Sequence, residues 1–170
     1  MVIQVAELWD IYDENRNPAG RLHRRGVRLR PGEYHIICEA WITCHGRLLV
    51  TQRHPDKNFG CMWECTGGAV IAGEDSKQAV IREIREEIGV TVTEEQLTFM
   101  GSSTGNTFFV DCYALELDDI ELSDLKLQRE EVVNAKFVTL PEFLKMQSQR
   151  KIIPRLYDYM KQFNFDFVKE

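Results

Sequence analysis

The sequence predicts an α/β fold, with helices and a mixed β-sheet layered around a common core. Three observations carry this. Short runs of alternating or continuous apolar residues, bounded by Gly, Pro and Asn, read as strands. Residues 76–88 place Val80, Ile84 and Ile88 at i, i+4, i+8 spacing, the stripe of a helix that faces a core. Further helical segments follow the last strands, so strands and helices are interspersed along the chain.

Along the chain, Glu7-Leu8-Trp9-Asp10-Ile11-Tyr12-Asp13-Glu14-Asn15 alternates in polarity, reaches turn chemistry at 15–20 and resumes at Gly20-Arg21-Leu22-His23-Arg24. This reads as a hairpin within an N-terminal extension, residues 1–30. A basic stretch, 24–30, runs to the Pro31-Gly32 turn. Residues 34–43 are apolar enough for a central strand. His45-Gly46 turns the chain, and 47–53 pair back as a second strand. A polar loop, 54–61, leads to a short strand, 63–66, and then to Gly67-Gly68. The helix covers about 76–88, with Asp75 or Ser76 as its cap and Gly89 where a C-terminal glycine belongs. Strands are expected at 96–102, 106–116 and 134–139, with an acidic loop at 117–129. Pro141 opens a helix to about 149, and a last helix covers about 153–163.

The 170 residues suit one domain, 1–170, with a sizeable core. A net charge of −6 argues against binding a nucleic acid polymer, though not against a small phosphate substrate. Residues 1–7 lack the basic and apolar segments of a signal peptide, and no apolar run is long enough to span a membrane. Five scattered cysteines fit reduced thiols, hence a cytoplasmic protein. Cys61 and Cys65 have no second ligand pair for zinc.

The chemistry concentrates in Glu83, Glu86 and Glu87. With Glu83 set at zero on a helical wheel, Glu86 falls near −60° and Glu87 near +40°, an arc of roughly 100°. Three acids on one face repel one another, and a hard divalent cation relieves that repulsion. The plainer reading is a solvated face with Arg82–Glu86 pairing at i,i+4. The flanking Gly67-Gly68, Gly73-Glu74 and Gly89 weigh against it.

Gly68, Glu74, Arg82, Glu83, Ile84, Glu86, Glu87, Gly89 and Val90 match the fixed positions of the signature of the Nudix hydrolases, over residues 68–90. The chain resembles that family. The resemblance implies an α/β/α sandwich and a loop–helix–loop metal site, using Mg²⁺ or Mn²⁺, that cleaves a nucleoside or other diphosphate linked to a further group. It makes Glu83, Glu86 and Glu87 the metal ligands, with the Gly68 carbonyl completing the set and one glutamate acting as base. Arg82 orients a carboxylate, with Glu74 as its partner behind the metal ligands. The loop acids Glu130 and Glu131 are candidates for one further ligand, Glu131 favoured. Arg53, and with it Lys57, can hold phosphates. Phe59, Trp63, Phe108, Phe109 and Tyr113 can stack on a base, although strand aromatics are more often core. The implied partner is a small diphosphate, and the implied state is a monomer or homodimer.

Trp9-Asp10-Ile11-Tyr12-Asp13, Arg21-Leu22-His23-Arg24 and Tyr34-His35 before Trp41 look like the N-terminal part of isopentenyl-diphosphate isomerase, a relative within the superfamily. His23 and His35 resemble two of its metal-binding histidines. Glu64-Cys65-Thr66-Gly67-Gly68, however, lacks the isomerase Cys-Gly-His-Pro arrangement, and Cys65 is offset from that position. The sequence therefore favours a hydrolase, with an isomerase and a non-catalytic ligand-sensing domain as alternatives.

Overall fold

A computed structural model describes residues 7–166 of the chain. The first six residues of the N-terminal extension lie outside the described residues. Strands β1 (Leu8–Tyr12) and β2 (Pro18–Arg24) form an antiparallel hairpin with its own two-stranded sheet. Asp13 shapes the turn, its carboxylate accepting the backbone N–H groups of Asn15 and Asn17 at 2.9 and 2.8 Å.

The main sheet is centred on β3 (His35–Cys44), which runs parallel to β8 (Phe108–Glu116) from His35↔Phe108 to Thr43↔Glu116. Strand β7 (Leu97–Thr104) pairs antiparallel on the far side of β8. Strand β4 (Arg47–Arg53) does not pair back along the whole of β3, as the sequence suggested. Only Thr43↔Leu48 and Cys44↔Arg47 pair before the two diverge. The gap is filled by β5 (Trp63–Glu64), which pairs β4, and β6 (Thr66–Ala69), which pairs the N-terminal half of β3. Gly67 permits this insertion, because a Cβ there would lie 2.1 Å from the Cys38 carbonyl oxygen. Strand β9 (Val132–Val138) pairs β4.

Alternation along β3 and β8 gives the sheet two apolar faces. Ile36, Cys38, Ala40 and Ile42 join Phe109, Tyr113 and Leu115 under helix α1 (Ser76–Ile88). Trp41, Val110 and Cys112 face Phe143 and Met146 of α2 (Leu140–Ser148) and Leu156 and Tyr159 of α3 (Pro154–Gln162). The result is a helix–sheet–helix sandwich. Val80, Ile84 and Ile88 are fully buried, as their spacing predicts. Asp75 caps α1 in a reciprocal capping box with Gln78, and Gly89 ends the helix in a left-handed conformation (φ 73°). One-turn 3₁₀ helices at Glu94–Gln96 and Leu122–Asp124 were not anticipated. No helix among the described residues is long and apolar enough to cross a membrane.

Two attachments set the site. The Lys126 and Gln128 N–H groups donate to the Ile88 and Glu87 carbonyls, both at 2.9 Å, docking the acidic loop on the C-terminus of α1. The hairpin is held by Ala72 N–H donating to the Leu8 carbonyl at 2.8 Å and Gly73 N–H to Asp10 Oδ2 at 2.9 Å. It is also held by Arg16, whose guanidinium grips Asp111 of β8 through both carboxylate oxygens.

Burial opposes ionisation of Asp111, but Arg16, Ser102 and Ser76 outweigh it and hold its carboxyl below the usual range. Asp111→Asn is expected to lower stability at pH 7 by about 1–2 kcal/mol, discounted because Arg16 is partly exposed. A group with a depressed native pKa stabilises above its unfolded value, about 3.9, and loses that contribution as pH falls through the native value. In denaturant melts the gap between wild type and variant should therefore close below about pH 4. A gap unchanged at low pH would show that the ion pair is not its source.

Candidate active site

A cavity of about 630 Å³ opens where β3, β6, α1 and the 54–61 loop meet. Its wall includes Glu83, Glu86 and Glu87 of α1 and, opposite them, Gly67 and Gly68 of β6. The glycines fit the acids. A Cβ at Gly68 would lie 2.4 Å from Glu83 Oε1, so only a bare backbone fits beside that carboxylate. The Gly67 N–H donates to Glu87 Oε2 at 3.3 Å. The Gly68 carbonyl accepts from Cys38 Sγ at 3.5 Å.

The three acids on this helix face do not stand alone, and Arg82 engages more of them than its pairing with Glu74 required. Arg82 Nη1 donates to Glu83 Oε1 at 2.8 Å and to Glu86 Oε2 at 3.2 Å. The same guanidinium reaches Glu74 through Nη2 (2.6 Å) and Nε (3.2 Å), and the Ala69 carbonyl at 3.0 Å. Glu74 is fixed from its other side by the Ile71 N–H at 2.9 Å. The acid–base geometry of Arg82 is thus forked toward Glu74, with the helix acids on its remaining edge.

The electrostatics differ along the row. Glu86 is 46% exposed, Glu83 is half-buried and Glu87 is buried. Burial pushes the Glu87 carboxyl well above its usual range, and Glu83 and Glu64 add to the shift. Burial also raises Glu83, with Arg82 opposing and Glu86 adding. For Arg82, burial works against the charge, but Glu74 and Glu83 outweigh it and strengthen its hold on the proton. Among the described residues no three acidic, imidazole or thiol groups already converge on one point. Arg82 draws Glu83 and Glu86 onto its own nitrogens instead. The donor set nevertheless suits a hard divalent cation: carboxylate oxygens raised by burial and mutual repulsion, beside a backbone carbonyl, on an open cavity. Glu83, Glu86, Glu87 and the Gly68 carbonyl can hold such an ion.

Of the loop acids, Glu131 lines the cavity, its carboxylate paired with Lys57, and Glu130 is exposed. Arg53 lines the cavity too, but its guanidinium is engaged with Glu64 and with the Asn58 carbonyl at 2.7 Å. Phe59 and Phe108 line the cavity, while Phe109 and Tyr113 are core.

Sequence reasoning missed an internal ion network. Glu39 of β3 is buried, accepting from Trp41 Nε1 at 3.0 Å and from Arg155 Nη2 of α3 at 3.1 Å. Arg155 also lies 3.6 Å from Glu64, whose other oxygen holds Arg53. Burial raises both Glu39 and Glu64, Arg155 opposing in each case. The available signal was a carboxylate inside an apolar strand, in Cys38-Glu39-Ala40 and Trp63-Glu64-Cys65, where an unpaired acid would be intolerable.

The isomerase-like features are not arranged as a metal or proton-shuttle site. Trp9 stacks on His35 at 4.0 Å and lies 6.1 Å from His23, whose Nε2 meets the Val27 carbonyl at 2.9 Å. Burial lowers the His35 pKa to about 4. Cys65 is buried, and burial with Glu39 and Cys112 nearby pushes its thiol well above the usual range, the reverse of an activated nucleophile.

Comparison with known proteins follows the same geometry. A model described as the NUDIX domain matches residues 40–156. An uncharacterised Nudix hydrolase of Listeria monocytogenes is 36% identical over 154 residues, covering 89% of this chain and 90% of the relative. The crystal structure of a Deinococcus radiodurans protein superposes with a TM-score of 0.70 at 22% identity, covering 86% of this chain and 91% of that one. A Francisella tularensis structure described as a bifunctional NMN adenylyltransferase/ADP-ribose pyrophosphatase complexed with AMP and a Mn ion matches with a TM-score of 0.54 at 19% identity, covering 67% of this chain and 36% of that one. At these identities the two structures share the fold.

Arg155→Met tests the ion network. It leaves buried Glu39 and Glu64 without their shared cation, and is expected to destabilise the fold by about 3 kcal/mol in urea melts. Adding Glu39→Gln should recover part of that loss. A single variant as stable as wild type would show the network to be energetically idle.

Proposed function

The chain belongs to the Nudix family and is a hydrolase acting on pyrophosphate bonds, and we propose that it cleaves the diphosphate linkage of a nucleoside diphosphate derivative or similar small molecule with Mg²⁺ or Mn²⁺. The observation that carries the metal-dependent reading is the row Glu83–Glu86–Glu87 facing Gly67 and Gly68 across the cavity, with the carboxyls of half-buried Glu83 and buried Glu87 both raised by burial. The Mn ion and AMP described for the Francisella structure support the choice of cation and of nucleotide.

A phosphoanhydride resists attack because its anionic oxygens repel a nucleophile. A divalent cation supplies charge neutralisation and a more acidic bound water. The chain's own residues do the rest. Glu83, Glu86, Glu87 and the Gly68 carbonyl hold the cation, and Glu131 supplies a further carboxylate from the loop docked on α1. Arg82 positions Glu83 and Glu86, and Glu74 fixes Arg82 in turn. One cavity glutamate takes the proton of the attacking water. Arg53, at the end of β4, faces the phosphates. An odd number of cysteines, all of them free, fits action in the cytoplasm.

Hydrolysis of a panel of nucleoside di- and triphosphates, sugar nucleotides and dinucleotides, read as the phosphomonoester and pyrophosphate products separated by chromatography, tests this reading. Turnover is expected to vanish in chelator and return with Mg²⁺ or Mn²⁺. Isopentenyl diphosphate in the same panel should emerge unisomerised. Turnover that persists in excess chelator would overturn the metal role.

Glu86→Gln and Glu87→Gln should each lower kcat about a hundredfold or more while the fold persists, since each removes a carboxylate that would hold the cation and so weakens both metal binding and charge stabilisation. Glu74→Gln acts only through Arg82 and should fall less. Wild-type rates in both helix variants would move the site elsewhere.

A further inference from the structure

Lys57 occupies an unusual place in the cavity. Its ammonium is paired with the Glu131 carboxylate, and the lysine side chain is only 21% exposed. Burial, with the repulsion of Arg25 and Arg53, lowers its pKa below the usual lysine value, while Glu87 and Glu64 oppose the shift and favour its charge. The backbone beneath it is fixed. Lys57 N–H donates to the His54 carbonyl at 3.1 Å, and the Asn58 carbonyl is held by Arg53 Nε at 2.7 Å. His54 N–H donates to the Glu131 carbonyl at 2.9 Å, tying the lysine's loop to the acid it meets. Gly60 closes the loop against Pro55, where a Cβ would lie 2.2 Å from the Pro55 carbonyl oxygen. The fixed loop therefore presents one long, flexible side chain to the acid cluster.

We propose that Lys57 is an internal counter-ion of the cluster, which holds Glu131 while the carboxylates carry no divalent cation and turns to a substrate phosphate once Glu131 is drawn to the metal. This rests on the metal-dependent reading above. An ammonium and a divalent cation repel when they share one carboxylate in a partly buried site, so the two compete for Glu131. Arg53 is less free to move, because Glu64 and the Asn58 carbonyl already engage it. The lysine's four-carbon stem and rotatable donors suit a change of partner. The substrate's phosphates then replace the negative charge that Lys57 has left. Metal and substrate are thereby coupled, each favouring the other.

The test is Mn²⁺ affinity of substrate-free protein, measured by the electron paramagnetic resonance of free Mn²⁺. Lys57→Met is expected to bind Mn²⁺ about three- to tenfold more tightly than wild type, through removal of one competing charge. Lys57→Arg should stay within about twofold of wild type. Adding Glu131→Gln to Lys57→Met should erase the gain. In turnover at saturating Mn²⁺, Lys57→Met should raise KM for a hydrolysed nucleotide more than it lowers kcat, and Lys57→Arg should restore most of the difference. Equal or weaker Mn²⁺ binding by Lys57→Met, beside a wild type that binds, would overturn the proposal and leave the metal reading intact. A wild type that binds no Mn²⁺ would overturn both.

Discussion

Arg82 lies near the middle of α1 and reaches back over the preceding loop to Glu74 and the Ala69 carbonyl, while Glu83 and Glu86 share its remaining nitrogen. That one planar group fixes the position of the glycine strand relative to the helix and the direction in which two acids point. A lysine would carry the charge but not the fork, and could not engage both sides in one plane. The tolerance is narrow, because Glu83 lies where a Cβ on Gly68 would stand. Close approach of strand and helix, the bare glycine and the guanidinium are one constraint expressed in three residues.

Around this constraint the cavity wall alternates in charge. Arg25 meets Glu7, Arg53 meets Glu64, Lys57 meets Glu131, and Arg155 meets Glu39 and Glu64. Pairing makes buried acids tolerable, and it also fixes the geometry in advance, so little reorganisation is required when charge develops on a substrate. The pairs are unequal. Arg155 and Glu39 join α3 to the central strand and act as structure. Lys57 and Glu131 sit on loops and face the cavity, where partners can change.

The parts legible in the sequence were those set by neighbours along the chain. Helix α1 announces itself through a cap at Asp75 or Ser76, the Val80-Ile84-Ile88 stripe and Gly89, and the structure settles the cap as Asp75. Arg82 and Glu74 are eight residues apart, and the loop between them is short enough to bring them together. What could not be read depends on distant partners. Glu39 is tolerable only because Arg155, 116 residues on, reaches it. Arg16 reads as a turn residue until Asp111, 95 residues away, receives it. The splaying of β3 from β4 was hidden for the same reason, since the strands that fill the gap come later in the chain, β5 pairing with β4 and β6 with β3.

The central claim is that the acid row of α1, set against the bare backbone of Gly68, is a divalent-cation site. Crystals grown with Mn²⁺ and measured at the manganese absorption edge test it most directly. An anomalous peak is expected within coordination distance of Glu83, Glu86 and Glu87 oxygens and the Gly68 carbonyl, with Lys57 turned away from Glu131. A peak bound elsewhere, with Arg82 still bridging Glu83 and Glu86 and no metal between the helix and Gly68, would contradict it.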